Sequence, residues 1–195
     1  RNYLLDKNCL VEDTFDYDGI QLSDKIIYKN IISNNIIFCE GYKAHLNPYF
    51  NFVQFSLAKG EQFTIYSEDL KNDKILNKNI FIIPKEENSY TVGSTFIWND
   101  MEETVTDAGR MEVMDKLNRI VNCSYRITSE IAGIRPTIKD RRPVIGTHPQ
   151  HKNMHIFNGF GTKGVSLAPY FADYFSKSMD LNVDTMKEIN VTRFL

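Results

Sequence analysis

The chain has 195 residues, 42% hydrophobic and 12% aromatic, with a formal charge of −2. That length and composition suit one globular domain with a real core and exclude a disordered chain. The near-neutral charge gives no reason to expect nucleic acid or an acidic membrane surface as partner, and no apolar run is long enough to span a bilayer. Cys9, Cys39 and Cys123 are isolated and odd in number, which reads as three reduced, buried small hydrophobes in a cytoplasmic protein.

Residues 1–22 are mixed and acidic, with a turn at Asp18-Gly19, and no role follows from them. Residues 25–28 and 35–39 are short β-prone runs separated by Ser33-Asn34, and the second enters a glycine turn at Gly41. A crossing begins at Asn47-Pro48-Tyr49-Phe50. It leads to Lys59-Gly60-Glu61-Gln62, read as a turn, and then to a strand over 63–66. Residues 79–84 and 89–93 flank the polar stretch 85–88 and predict a hairpin, with Pro84 at a strand end where no ladder amide is needed.

Thr106 or Asp107 predicts the cap of a helix running to about Val121. Met111, Met114, Leu117, Ile120 and Val121 recur on it at helical spacing. A strand-like run over 125–129 leads into Ala132-Gly133-Ile134-Arg135-Pro136-Thr137. A turn at Asp140-Arg141-Arg142-Pro143 and a short buried segment, Val144-Ile145-Gly146, follow.

The stretch that organises the chain is Asn158-Gly159-Phe160-Gly161-Thr162-Lys163-Gly164-Val165, placed directly after the apolar Met154-His155-Ile156-Phe157. It reads as strand, glycine loop and helix N-terminus. Glycine permits positive φ and close backbone approach, and unpaired amides at a helix start suit the electron-rich edge of a ligand. The helix that follows is expected to bury Leu167, Tyr170, Phe171, Tyr174 and Phe175, with Pro169 in its first turn.

Together, the Ala132–Gly146 and Asn158–Pro169 stretches resemble the C-terminal signature of the FAD-dependent oxidoreductases of the D-amino acid oxidase type, above all the glycine oxidase and thiazole-biosynthesis oxidase branch. The family pattern is AGxRP, an Asp and P-x-I-G, followed by a glycine loop that ends in L-A-P. The resemblance runs more loosely back to about Ile36. It implies an α+β architecture: a mostly antiparallel substrate-domain sheet with helices, plus the last strand, loop and helix of a flavin domain. The implied division is 1–58 for the end of the flavin domain's middle segment, 59–135 for the substrate-binding domain and 136–195 for the C-terminal flavin segment. It also implies that the dinucleotide-binding part, with a G-x-G-x-x-G between strand and helix, lies in a missing N-terminal portion of the same polypeptide.

By that resemblance Arg135 clamps the carboxylate of a small amine or amino-acid substrate, a task suited to a planar fork of donors. FAD is the implied cofactor. Gly41, Gly133, Gly159, Gly161, Thr162, Lys163, Gly164 and Val165 are the positions implied to lie along it, and Phe81, Ser94 and Thr162 line the substrate pocket. Read from the residues alone, Arg135 could instead pair with Asp140 or Glu130, and Lys163 could be simply solvated. The chain departs from the branch at two places. Thr162 stands where glycine oxidases carry an arginine, and Phe81 where they carry a tyrosine. Both changes make the pocket less polar and point away from glycine itself, toward a larger, more apolar amine or amino acid.

A rival reading is a non-catalytic binding module that keeps the fold without flavin. His148, His151 and His155 cluster in sequence. Pro149, Gln150 and Lys152 mark a surface loop there, and no carboxylate or cysteine stands among them, so no metal site is expected.

Overall fold

The computed structural model describes residues 1–181, 183 and 185–195. A short exposed helix, α1 (Asn2–Asp6), precedes four brief strands: β1 (Ile20–Leu22), β2 (Ile26–Tyr28), β3 (Ile31–Ser33) and β4 (Ile36–Phe38). Then come β5 (Ala58–Tyr66), β6 (Leu76–Asn77), β7 (Phe81–Pro84), β8 (Ser89–Gly93) and β9 (Ile97–Trp98). Helix α2 (Asp107–Asn118), strands β10 (Arg126–Arg135), β11 (Val144–Thr147) and β12 (Met154–Asn158), and helix α3 (Gly164–Leu181) complete the order. The α+β arrangement expected from the sequence is the one adopted.

The largest sheet runs β10-β5-β8-β7-β6, with β9 also on β5, and its pairings are antiparallel. Residues directly opposite in such a ladder point to the same face. One face carries Phe63, Ile65, Ile82 and Val92, which pack with Val113 and Leu117 of α2 in one core. The opposite face carries Ala58, Gly60, Gln62, Gly93 and Phe81, in register with Arg135, Gly133 and Ile131. This second face holds the arginine.

A smaller sheet, β11-β12-β4, joins the two ends of the chain, because β12 pairs with β4 in parallel. Its residues Phe38, Val144, Met154 and Ile156 form a second core with Phe50, Val53, Ile138 and Val191. The C-terminal segment therefore closes inward as a 3₁₀ turn, Val191–Phe194, with Val191 fully buried.

Several local expectations are corrected. Lys59-Gly60-Glu61-Gln62 is no turn but part of the long strand β5, and the arginine motif lies within β10 rather than after it. On α2 the buried line is Gly109, Val113 and Leu117, whereas Met111 is 66% exposed. The shift has a cause: the helix lays Gly109 against the Glu61 carboxylate, where an added Cβ would come within 1.3 Å of Oε2. On α3, Phe175 is buried but Tyr170 is 60% exposed. Pro169 is not in the first turn. It lies inside the helix, so the Val165 carbonyl lacks its i+4 donor, a loss made mild because Val165 faces solvent. Cys9 and Cys39 are exposed and Cys123 is half-buried, so none is the buried hydrophobe its spacing suggested.

Candidate functional site

Arg135 ends β10 and lies flat across Gly60, where a Cβ would come within 1.8 Å of Nη2, so only glycine leaves room for it. Nη1 donates to the Lys59 carbonyl at 2.9 Å. Nη2 donates to Ser94 Oγ at 2.7 Å and to the Thr95 carbonyl at 3.1 Å. The Phe96 ring covers one side, 5.0 Å from the guanidinium carbon. Neither carboxylate that the sequence offered takes this arginine. Glu130 pairs with Arg110 and Asp140 with Arg193, and among the described residues no acidic group is within ion-pair reach of Arg135. Burial pulls its pKa below the ordinary guanidinium value, although it stays charged in water at any working pH. The result is a fixed cation with unspent N–H donors and no counter-charge.

What holds it is a buried network on the other face of β5. Lys59 and Glu61 are both fully buried. Lys59 Nζ donates to Asp100 at 2.8 Å and approaches Glu61 at 3.5 Å. Hydrogen bonding to Asp100 raises the Lys59 pKa, and the same bond lowers that of Asp100. Glu61 Oε1 accepts from the amide and the hydroxyl of Thr106, which itself caps α2 by accepting from the Gly109 amide. Thr95 Oγ1 accepts from the Glu61 amide. Thus the two carbonyls that aim Arg135, those of Lys59 and Thr95, are pinned by the ion network behind them. The sequence reading missed Lys59, Glu61, Thr95 and Phe96. The available signal was a lysine and a glutamate at alternate positions in a strand, where one apolar face should be.

The second group of candidates gathers at the C-terminal ends of the parallel pair β4/β12, the end where open parallel sheets receive ligands. Asn158 joins them: its Nδ2 donates to the Gly41 carbonyl at 2.9 Å and its Oδ1 accepts from the Gly159 amide at 2.8 Å. Gly159 (φ +78°) abuts Ile138 and Val144 and leaves no space for a Cβ, whereas around Gly41 and Gly133 an added Cβ would meet nothing within 4 Å. The Gly161 amide donates to the Pro136 carbonyl at 3.2 Å and that of Lys163 to Phe160 at 2.9 Å, so part of the amide array expected to face a ligand is already used. Gly164 and Val165 open α3, with Val165 98% exposed.

The loop also spells Gly159-x-Gly161-x-x-Gly164 between a strand and a helix, the spacing that the resemblance assigns to a missing N-terminal portion. The context of a dinucleotide site is nonetheless missing. Among the described residues α3 is followed by a 3₁₀ turn and not by a strand returning beside β12.

The two groups meet. Arg135 is followed by Pro136 and Thr137, which contact Gly161 and bridge to Phe160. Between them lies a cleft of ≈ 620 Å³, walled by Phe96 and Trp98 on one side and the loop 159–163 on the other. Thr162 and Thr137 belong to its lining, and Thr137 Oγ1 is buried without a hydrogen-bond partner. Phe81 sits opposite Gly93 on the arginine's face of the sheet. A second cavity of ≈ 450 Å³, between residues 11–15 and strands β2 and β3, contains none of the candidates, and its charges, Lys29 and Asp13, are matched to each other.

The histidines serve structure. His148 and His155 are buried rather than on a surface loop: His148 bridges the Tyr49 carbonyl and the amides of Gln150 and His151, and His155 lies between Thr147 and Asn35. Among the described residues no group of three or more His, Cys, Asp or Glu is arranged to hold a metal. No described helix is long and apolar enough to cross a membrane.

Comparison with known proteins gives the family and the fold. The profile of the family described as "FAD dependent oxidoreductase" (DAO) matches residues 16–178. Glycine oxidase of Bacillus subtilis (strain 168) is 30% identical over 161 residues, covering 78% of this chain and 42% of that protein. A glycine oxidase from Bacillus licheniformis is 27% identical over 119 residues, covering 60% of this chain and 32% of its own length. The chain thus spans less than half the length of these relatives. Among solved structures, glycine oxidase from Geobacillus kaustophilus superimposes with a TM-score of 0.70 at 18% identity, covering 86% of this chain and 48% of that one. L-proline dehydrogenase from P. horikoshii superimposes with a TM-score of 0.75 at 15% identity, covering 90% and 52%. With more than half of its residues matched by the profile, the chain belongs to the DAO family of FAD-dependent oxidoreductases.

Proposed function

We propose that this chain is the substrate-binding and C-terminal flavin-contacting part of a longer FAD-dependent enzyme that oxidises a C–N bond of an amine or amino acid. The observation that carries the reading is Arg135: a guanidinium held rigid from behind, with no carboxylate partner, on the open face of a sheet and next to the glycine loop. Residues 59–135 form the substrate-binding unit in this reading, and the segments before and after it belong to the flavin unit.

The chain's residues fit the proposed cofactor. Gly41 and Gly133 leave open space beside the backbone, Thr137 Oγ1 is a buried polar atom without a partner, and the loop 159–165 ends in a helix N-terminus that favours negative charge. When bound, FAD supplies the two-electron acceptor for the hydride leaving the substrate carbon. The protein's part is binding and orientation. Arg135 takes the substrate carboxylate in its remaining donors, Phe96 and Phe81 exclude water around it, and the substrate's C–H bond is thereby held in one direction. The substrate amine, in its neutral form, supplies its nitrogen lone pair to the C=N bond as the hydride leaves, giving an iminium, so no side chain here needs to act as a strong base.

The test is Arg135→Ala in the full-length polypeptide. For amines bearing a carboxylate, kcat/KM should fall by about 10- to 100-fold, as expected for losing charged hydrogen bonds, while amines without one lose little. Unchanged turnover of carboxylate substrates sinks the clamp.

A further inference from the structure

Strand β4 is apolar on both faces, Ile36-Ile37-Phe38, the pattern of a strand enclosed on both sides in a parallel sheet. Its surroundings serve only half of that pattern, because β4 ends the sheet β11-β12-β4. The Ile36 amide donates to the Asn153 carbonyl at 2.9 Å, and the register turns the amides of Ile36 and Phe38 toward β12. The amide and carbonyl of Ile37 therefore face the open edge. Phe38 is buried, whereas Ile37 is 44% exposed.

Two cavities flank this edge, and Ile37 lines both. On the α3 face, a groove of ≈ 430 Å³ is walled by Cys39, Phe157, Ala172 and Met179. On the face of Phe38, where Ile26 and Tyr28 join the same core, lies the ≈ 450 Å³ cavity walled by Val11, Phe15, Ile31 and Ile36. None of the residues assigned to flavin or substrate lines either one.

We propose that the open edge of β4 is a slot for one further β-strand, supplied by the polypeptide ahead of Arg1, which pairs in parallel with β4 and fills both cavities. The inference rests on the proposed function, which makes these residues the C-terminal part of a longer polypeptide; the chain covers 42% of the Bacillus subtilis relative. A strand is the occupant that fits, because its side chains alternate between faces and each face offers an apolar cavity. Its backbone satisfies the unpaired amide and carbonyl of Ile37. Parallel pairing continues the direction that β4 and β12 already share. A second copy fits less well, since it brings its own α3 and residues 11–15 to the same edge.

Amide exchange in the full-length polypeptide tests the slot at two neighbouring residues, of which only Phe38 has its amide on β12. With the strand in place, Ile37 should exchange within about tenfold of Phe38 after correction for intrinsic rates. Exchange more than about tenfold faster overturns the slot. The occupant is identified by replacing Ile37 with a photo-reactive diazirine leucine, close to it in shape. Irradiation should crosslink position 37 to a segment ahead of Arg1. Crosslinks only within residues 1–195, or to a second copy, overturn the assignment.

Neither readout involves turnover, so the two readings can fail separately. If Ile37 is protected and crosslinks as expected but no amine is oxidised, the proposed reaction fails and the slot stands. If amines are oxidised while Ile37 exchanges freely, the slot fails and the reaction stands.

Discussion

The two long helices of this chain make opposite bargains with their surroundings. Helix α2 is the shorter and more polar, yet it buries Gly109, Val113 and Leu117 on the large sheet and carries a side-chain cap from Thr106. Helix α3 is longer and more apolar, but buries only Phe175 and Ser178, leaves Val165, Tyr170 and Leu181 open, and starts from a glycine loop without a side-chain cap. The difference separates a helix that seats its buried face within this chain from one that does not. The sheet with α2 has its core, its Thr106 cap and the Lys59–Asp100 ion pair matched internally, while Arg135 keeps no counter-charge and Glu61 Oε2 has no hydrogen-bond partner. The α3 face leaves Val165, Tyr170 and Leu181 exposed, which is compatible with the proposed longer polypeptide.

The contrast can be broken most severely at the buried ions. Lys59→Met strands Glu61 in the core and should destabilise the chain by about 3–5 kcal/mol in urea unfolding. A loss under about 1 kcal/mol would mean that the network behind Arg135 is not held as described. Leu117→Ala on α2 should cost about 2–5 kcal/mol. Tyr170→Ala on α3 should stay within about 0.5 kcal/mol in the 195-residue chain; similar losses at both positions would erase the distinction between the helices.

Smaller effects sharpen the same comparison. Thr106→Ala removes the α2 cap and should lower stability by about 1 kcal/mol, a change visible as a lowered thermal midpoint. The region around α3 has a pH signature instead. Burial lowers the pKa values of His148 and His155 below the ordinary 6.5, so the unfolded chain binds protons there first. Their contribution to stability is complete above about pH 6.5 and is lost as pH falls through the lowered values. The thermal midpoint should therefore drop between pH 7 and pH 5, and a flat profile over that range contradicts the buried, neutral state.

Much of the fold was legible because local chemistry and global structure agree there. The hairpin of β7 and β8 follows from two β-prone runs around a polar stretch, and Thr106 announced α2. The strand, glycine loop and helix around 154–164 were legible from an apolar run followed by clustered glycines. The misreadings fall where tertiary contacts outweigh pattern. Gly60 reads as a turn residue, yet it sits mid-strand because Arg135 needs its missing side chain. Lys59 and Glu61 read as solvated, yet they are buried because each answers the other's charge. Met111 has the right spacing for a core stripe but loses its place because α2 rotates to fit Gly109 against Glu61. Arg135 was singled out from the sequence, whereas the residues that aim it were not, since nothing local marks a carbonyl as an acceptor for a side chain from a distant strand.

The parallel pairing of β4 with β12 carries a consequence for how the molecule assembles. Those strands flank the entire large sheet in sequence, so closing them costs the entropy of a long loop unless the intervening chain has already compacted. The hairpins of the large sheet are local and can form first, and their folding brings Phe38 and Ile156 into reach of each other. The glycine loop and the Asn158 link to Gly41 then arise in the last step. An amide-exchange experiment would therefore find protection appearing in β7 and β8 before β12, and the surface proposed to receive the cofactor would be the final part of the chain to exist.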